Sequence, residues 1–119
     1  MPDNPLVHHA INYIELSVTD MDAAKAFYTA AFGWAFNDYG PGYQGIVHGD
    51  GESGGLMLVD TVETGGPLVI LYSSALEASR DSVAEAGGTI EKDVFSFPGG
   101  RRFEFLDPSG NRLAVWSDQ

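Results

Sequence analysis

Apolar and polar residues alternate from Ile11 to Val18, with Ile14, Leu16 and Val18 on one face and Tyr13, Glu15 and Ser17 on the other. That is the period-two pattern of a strand between two different environments. The period then changes. Ala24, Phe27, Tyr28, Ala31 and Phe32 recur at helical spacing, Thr19 or Asp20 can cap the start, and Gly33 offers a left-handed stop. Three short strands are expected next, near residues 34–39, 43–49 and 55–60. The same order returns from residue 68. A strand around Val69-Ile70-Leu71 precedes a helix from about Leu76 to Ala86, with Leu76, Val83 and Ala84 apolar and Gly87-Gly88 as its stop. Strands near 89–94, 101–106 and 111–117 close the chain.

The two halves superpose as sequence. A shift of 55 lays Ile14-Glu15-Leu16 over Val69-Ile70-Leu71 and Met21 to Phe32 over Leu76 to Gly87 without a gap. A shift of 57 lays Leu56-Met57-Leu58 over Leu113-Ala114-Val115. A repeat of this length fixes the architecture as two copies of strand, helix and three strands. The predicted fold is α+β, two βαβββ modules at about residues 8–62 and 67–117 within one domain, 1–119. Asp107-Pro108-Ser109-Gly110 reads as the last turn, Gly40-Pro41-Gly42 and residues 49–55 as further turns, and Gly65-Gly66-Pro67 as the hinge between the modules.

Composition narrows the partners. With 119 residues the chain has one domain's worth of core, and 44% hydrophobic residues without a long apolar run predict a globular protein with no membrane span. Residues 1–5 are a short polar tail without the regions of a signal peptide, so the expected location is the cytoplasm. The absence of Cys excludes disulfides, thiolate metal sites and a cysteine nucleophile. Seventeen acids against six bases give a net charge of -11, which argues against nucleic acid as a partner and favours neutral or cationic ligands. Simple solubility explains the same acidity.

Val18-Thr19-Asp20, Ala24-Lys25-Ala26-Phe27-Tyr28, Phe32-Gly33-Trp34 and Asp107-Pro108-Ser109-Gly110-Asn111 occur in an order that resembles the vicinal oxygen chelate superfamily of glyoxalase I, extradiol dioxygenases and bleomycin resistance proteins. The resemblance spans about residues 8–117. It implies an open eight-stranded cup with a small-molecule ligand on its concave face, and a homodimer. Metal-dependent members carry His, Gln or Glu ligands at positions that fall here on Tyr13, Leu68, Met57 and Ala114. None of these supplies an imidazole or a carboxylate, so no metal and no other cofactor are expected. Glu15 and Glu104 together would make a poor displaced site.

Alternation predicts Tyr13, Glu15, Met57, Leu68, Tyr72, Arg102, Glu104 and Trp116 as ligand-binding residues, an aromatic and apolar set with few polar groups. Met57 and Leu68, with Ile70 and Ala114, serve equally well as plain core. Glu15 is the candidate catalytic residue, because a carboxylate flanked by apolar neighbours needs a partner or a proton. Arg102 is its natural partner, which would make the pair structural. Arg101, Arg102 and Arg112 fall in one hairpin, where they can hold an anion or offset Glu104 and Asp107. His8 and His9, adjacent near the terminus, are expected exposed and, on a strand, facing opposite ways, and His48, which shares the parity of Ile46, on the helix side of the sheet or at its edge. The expected function is metal-free binding of a small apolar or aromatic metabolite or drug. The alternative is a glyoxalase-type lyase or isomerase acting on a small carbonyl compound, with Glu15 as base or a displaced metal.

Overall fold

The computed structural model describes residues 6–62 and 66–119. The expected tail at 1–5 and Gly65 of the expected hinge lie outside them. The elements run β1 Ile11–Val18, α1 Met21–Phe32, β2 Phe36–Asp38, β3 Tyr43–His48, β4 Gly51–Leu58, β5 Leu68–Tyr72, α2 Leu76–Glu85, β6 Thr89–Phe97, β7 Gly100–Leu106 and β8 Arg112–Ser117. This is the α+β order of two βαβββ modules. Among the described residues no helix is long and apolar enough to cross a membrane.

The chain divides into two compact units, one containing residues 13–67 and the other residues 6–12 with 68–119. Residues 6–12 group with the second unit through backbone bonds: His9 N donates to Tyr72 O at 2.7 Å and Tyr72 N to Ala10 O at 3.1 Å. His8 and His9 lie in a turn, not on a strand, with His9 at φ 64°. Their rings therefore stack at 3.8 Å instead of facing opposite ways. His9 Nε2 reaches Ser79 Oγ at 2.8 Å, and His8 Nδ1 accepts from Ser74 N at 3.0 Å.

In the first unit the strand order is β2-β3-β4-β1, with β1 parallel to β4 and the other pairs antiparallel. Asp20 caps α1, its carboxylate accepting from Ala23 N at 3.0 Å, and Gly33 ends it at φ 73°. Met21, Ile46 and Leu56 form the core under the helix, with Leu16, Val18, Ala24, Tyr28, Trp34 and Phe36 packed around them. The apolar stripe on α1 is wider than this core. Phe27 and Phe32 remain 58% and 65% exposed.

The second unit repeats the scheme as β5-β8-β7-β6, with β5 parallel to β8. Leu76, Phe103 and Val115 form its core against α2, joined by Leu71, Val83, Ile90, Val94 and Phe105.

Two expectations are corrected by the strand pairing. Residues 51–55 are not a turn: β4 begins at Gly51. Glycine is needed there because a Cβ on Gly54 would come within 2.1 Å of Ile14 O, so the run marks close backbone approach inside a sheet. The closing strands also align differently. Glu15 pairs with Gly55 in the first unit and Ile70 with Ala114 in the second, so the counterpart of Ala114 is Gly55, not Met57. A slip of two residues keeps every side chain on its face, and alternation cannot detect it.

Candidate functional site

The face of the first sheet turned away from α1 carries the odd-numbered residues of β1, including Tyr13 and Glu15. Glu15, Gly55, Gly45 and Asn37 form one row across β1, β4, β3 and β2. The two glycines leave room above the backbone, and side chains from neighbouring positions fill it. A Cβ on Gly55 would come within 2.1 Å of the Tyr43 hydroxyl, and one on Gly45 within 2.3 Å of the Glu52 carboxylate.

Those side chains form two connected groups. Tyr43 donates to Glu15 Oε2 at 3.0 Å, and its hydroxyl lies 2.8 Å from that of Tyr13. Tyr39 and Asn37 both donate to Glu52 Oε2, Asn37 at 2.9 Å. The Tyr39 and Tyr43 rings are 6.3 Å apart. Glu15 is 8% exposed. Burial is the main cause that pushes the Tyr13 phenol up to about 12, with Glu52, Glu15 and Tyr39 raising it further against the bond to Tyr43. Burial and then the charge of Glu15 push Tyr43 up as well, and the hydrogen bond to Glu52 does the same for Tyr39. All three are neutral phenols at physiological pH.

Tyr39, Tyr43 and Glu52 were absent from the residues expected at the site. Glu52 by simple alternation belongs with Gly54 and Leu56 on the helix side. A bulge between β3 and β4, with Ile46 opposite Gly54 but Val47 opposite Glu52, brings its carboxylate over Gly45 instead. The glycines at 45, 54 and 55 were the available signal, since glycine within a strand marks a close approach. Met57, expected at the site, is 39% exposed beside this group and pairs with Ser17 and Tyr43.

A groove of about 600 Å³ lies elsewhere in the unit, at the start of α1, lined by Asp20, Lys25, Asp38, Gln44 and Leu58 among others. None of the residues expected at the site lines it. Gln44 donates to Asp38 Oδ1 at 2.8 Å and to Gly40 O at 3.0 Å, and its buried Oε1 has no hydrogen-bond partner among the described residues.

In the second unit the other expected residues share the face away from α2. Tyr72 pairs with Trp116, Trp116 with Arg102, and Arg102 with Phe95. Tyr72 donates to Asp118, which raises its pKa, and Trp116 Nε1 donates to Asn12 Oδ1 at 2.9 Å. Arg102 binds Glu104 at 3.0 Å and lies over the Phe95 ring. Leu68 is half-buried at the start of β5, and Ala114 is fully buried. The arginine hairpin does not form one anion site. Arg101 pairs with Glu77, Arg102 with Glu104 and Arg112 with Glu91, while Asp107 binds the amides of Ser109 and Asn111 in its own turn.

Residues 10–115 match the family described as the Glyoxalase/Bleomycin resistance protein/Dioxygenase superfamily. The chain belongs to this superfamily. It is 28% identical over 115 residues to the Mycobacterium tuberculosis protein named "Putative glyoxylase CFP32", covering 88% of this chain and 44% of that protein. It is 28% identical over 113 residues to the anthracycline biosynthesis protein DauV of Streptomyces sp. strain C5, covering 89% and 40%. The crystal structure of the Mn(II)-bound glyoxalase from Novosphingobium aromaticivorans superposes with a TM-score of 0.70 at 26% identity, over 93% of this chain and 39% of that one. The chain thus spans less than half the length of these relatives.

The superfamily includes metal enzymes such as the Mn(II)-bound glyoxalase, and the residues at the corresponding positions of this chain do not fit a divalent metal. Tyr13, Leu68, Met57 and Ala114 offer no imidazole or carboxylate, and Gly55, the true counterpart of Ala114, offers no side chain. Among the described residues no three His, Asp or Glu side chains come together as a metal-binding group.

Proposed function

We propose that the chain binds a small apolar or aromatic molecule against the tyrosine-bearing face of the first module, without a metal ion. The observation that carries this reading is the Tyr13, Tyr43 and Glu15 chain, which begins at a position where the family resemblance implies a metal ligand. Tyrosines give broad ring area for stacking, and their hydroxyls fix orientation. Membership in a superfamily that includes bleomycin resistance proteins supports a binding role, and the similarity to proteins named for glyoxylase or glyoxalase activity keeps catalysis as the second reading.

That second reading rests on Glu15. It is a buried carboxylate that accepts from the Tyr43 phenol, and a carboxylate of this kind can take a proton from a carbon next to a carbonyl. Glu15→Gln tests both. Fragment binding followed by NMR should weaken about tenfold or more in the variant while the melting temperature falls only a few degrees. A large drop in melting temperature with unchanged affinity would make Glu15 a structural residue. Deuterium uptake from D2O into a small ketone, present in the wild type and lost in Glu15→Gln, would establish the enzyme reading instead.

A further inference from the structure

The direction of the phenolic hydrogen bonds limits what the first module can recognise. Each tyrosine has one hydroxyl proton. Tyr43 gives its proton to Glu15, so the proton in the contact between Tyr13 and Tyr43 must come from Tyr13. Tyr39 gives its proton to Glu52, and an amide hydrogen of Asn37 goes to the same carboxylate oxygen. Two of the three phenolic protons of the group thus go to carboxylates and the third, that of Tyr13, to the Tyr43 oxygen. An arriving molecule meets the lone pairs of Tyr13 and Tyr39 and no free phenolic donor. Charge runs the same way, since residues 6–62 contain seven Asp or Glu and a single Lys or Arg, Lys25, which lies on α1 beside the separate groove.

We infer that this face selects ligands that carry hydrogen-bond donors, amines first and hydroxyl compounds second, over carboxylates and simple carbonyl compounds. The inference rests on the binding reading above and names the ligand class for that site. A carbonyl or carboxylate ligand would have to draw the Tyr13 proton outward. That breaks the bond to Tyr43 and leaves the Tyr43 oxygen without its donor. An ammonium group instead adds a donor to an oxygen that already has lone pairs to spare, and nearby tyrosine rings favour a cation further.

Benzylamine, benzyl alcohol, benzaldehyde and benzoate share one ring and differ in the group presented. Their affinities can be measured by NMR titration of the wild type, Tyr13→Phe and Tyr39→Phe at fixed salt. Benzylamine should bind about tenfold more tightly than benzoate, with benzyl alcohol between them. General attraction to an acidic protein would survive removal of one hydroxyl, so the variants decide the cause. Tyr13→Phe should lower amine and alcohol affinity about fivefold and leave benzoate unchanged. Tyr39→Phe, at an exposed ring, gives the same reading should Tyr13→Phe fold poorly. Tighter binding of benzaldehyde or benzoate than of both donors would overturn donor selection and leave the binding reading standing, as would amine affinity unchanged in both variants. If none of the four probes shifts the Tyr13 or Tyr43 signals up to about 10 mM, a range that covers very weak binding, the binding site itself is refuted.

Discussion

The hydroxyl end of Tyr43 lies over Gly55, so close that a Cβ there would come within 2.1 Å of Oη and 2.4 Å of Cζ. Gly55 is thus what allows Tyr43 to reach Glu15. Gly55→Ala should push the ring aside, break that bond and cost about 1–3 kcal/mol, the usual range for overpacking. In a Tyr43→Ala background the space is free, and the same change should cost little. A double-mutant cycle by urea unfolding checks this, with a coupling of about 1 kcal/mol or more expected. Additive effects would mean that the ring does not occupy this place.

Stability should decline in alkaline solution before any lysine effect is needed. Tyr13 is raised to about 12 in the folded protein, against about 10 for a free phenol. Its contribution is therefore complete below pH about 10 and is lost as pH climbs through about 12. Tyr43 shifts in the same direction and adds to the loss. Urea midpoints measured from pH 8 to 11.5 should fall, and Tyr13→Phe should flatten the fall. A midpoint independent of pH across that window would contradict the burial of these phenols.

Metal content is a direct check on the donor chemistry. After incubation with Mn(II) or Zn(II) and mild dialysis, elemental analysis should find well under one ion per chain, on the order of a tenth or less for a chain without a ligand set. Close to one ion per chain would sink the metal-free reading.

A symmetric dimer is expected in solution. The first unit's sheet ends at the three-residue strand β2, and Phe27 and Phe32 leave apolar area on α1. Open sheet edges and apolar patches favour cover by a second copy. Light scattering at micromolar concentration should return twice the chain mass, and the monomer mass would refute it.

Alternation and helical spacing by themselves determined the order of elements, the faces of β1, β5, β7 and β8, and the stop of α1 at Gly33, while leaving its N-cap open between Thr19 and Asp20, which the structure gives to Asp20. These are local properties, set by period, cap chemistry and backbone freedom within a few residues. They also brought Tyr13 and Glu15 to one face, because residues two apart on a strand always share one. The tertiary structure decided what those residues touch. It placed Gly55 rather than Met57 as the counterpart of Ala114, because pairing register can slip by two without changing any face. It turned Glu52 onto the face of Tyr39 and Asn37 through a bulge, which alternation counts as an error of phase. It made residues 51–55 a strand, because Gly54 and Gly55 answer to Ile14 O and Tyr43, atoms distant in sequence. The phenol and carboxylate group is legible only in part from the chain, since three of its members, Tyr39, Tyr43 and Glu52, are brought to it by cross-strand pairing.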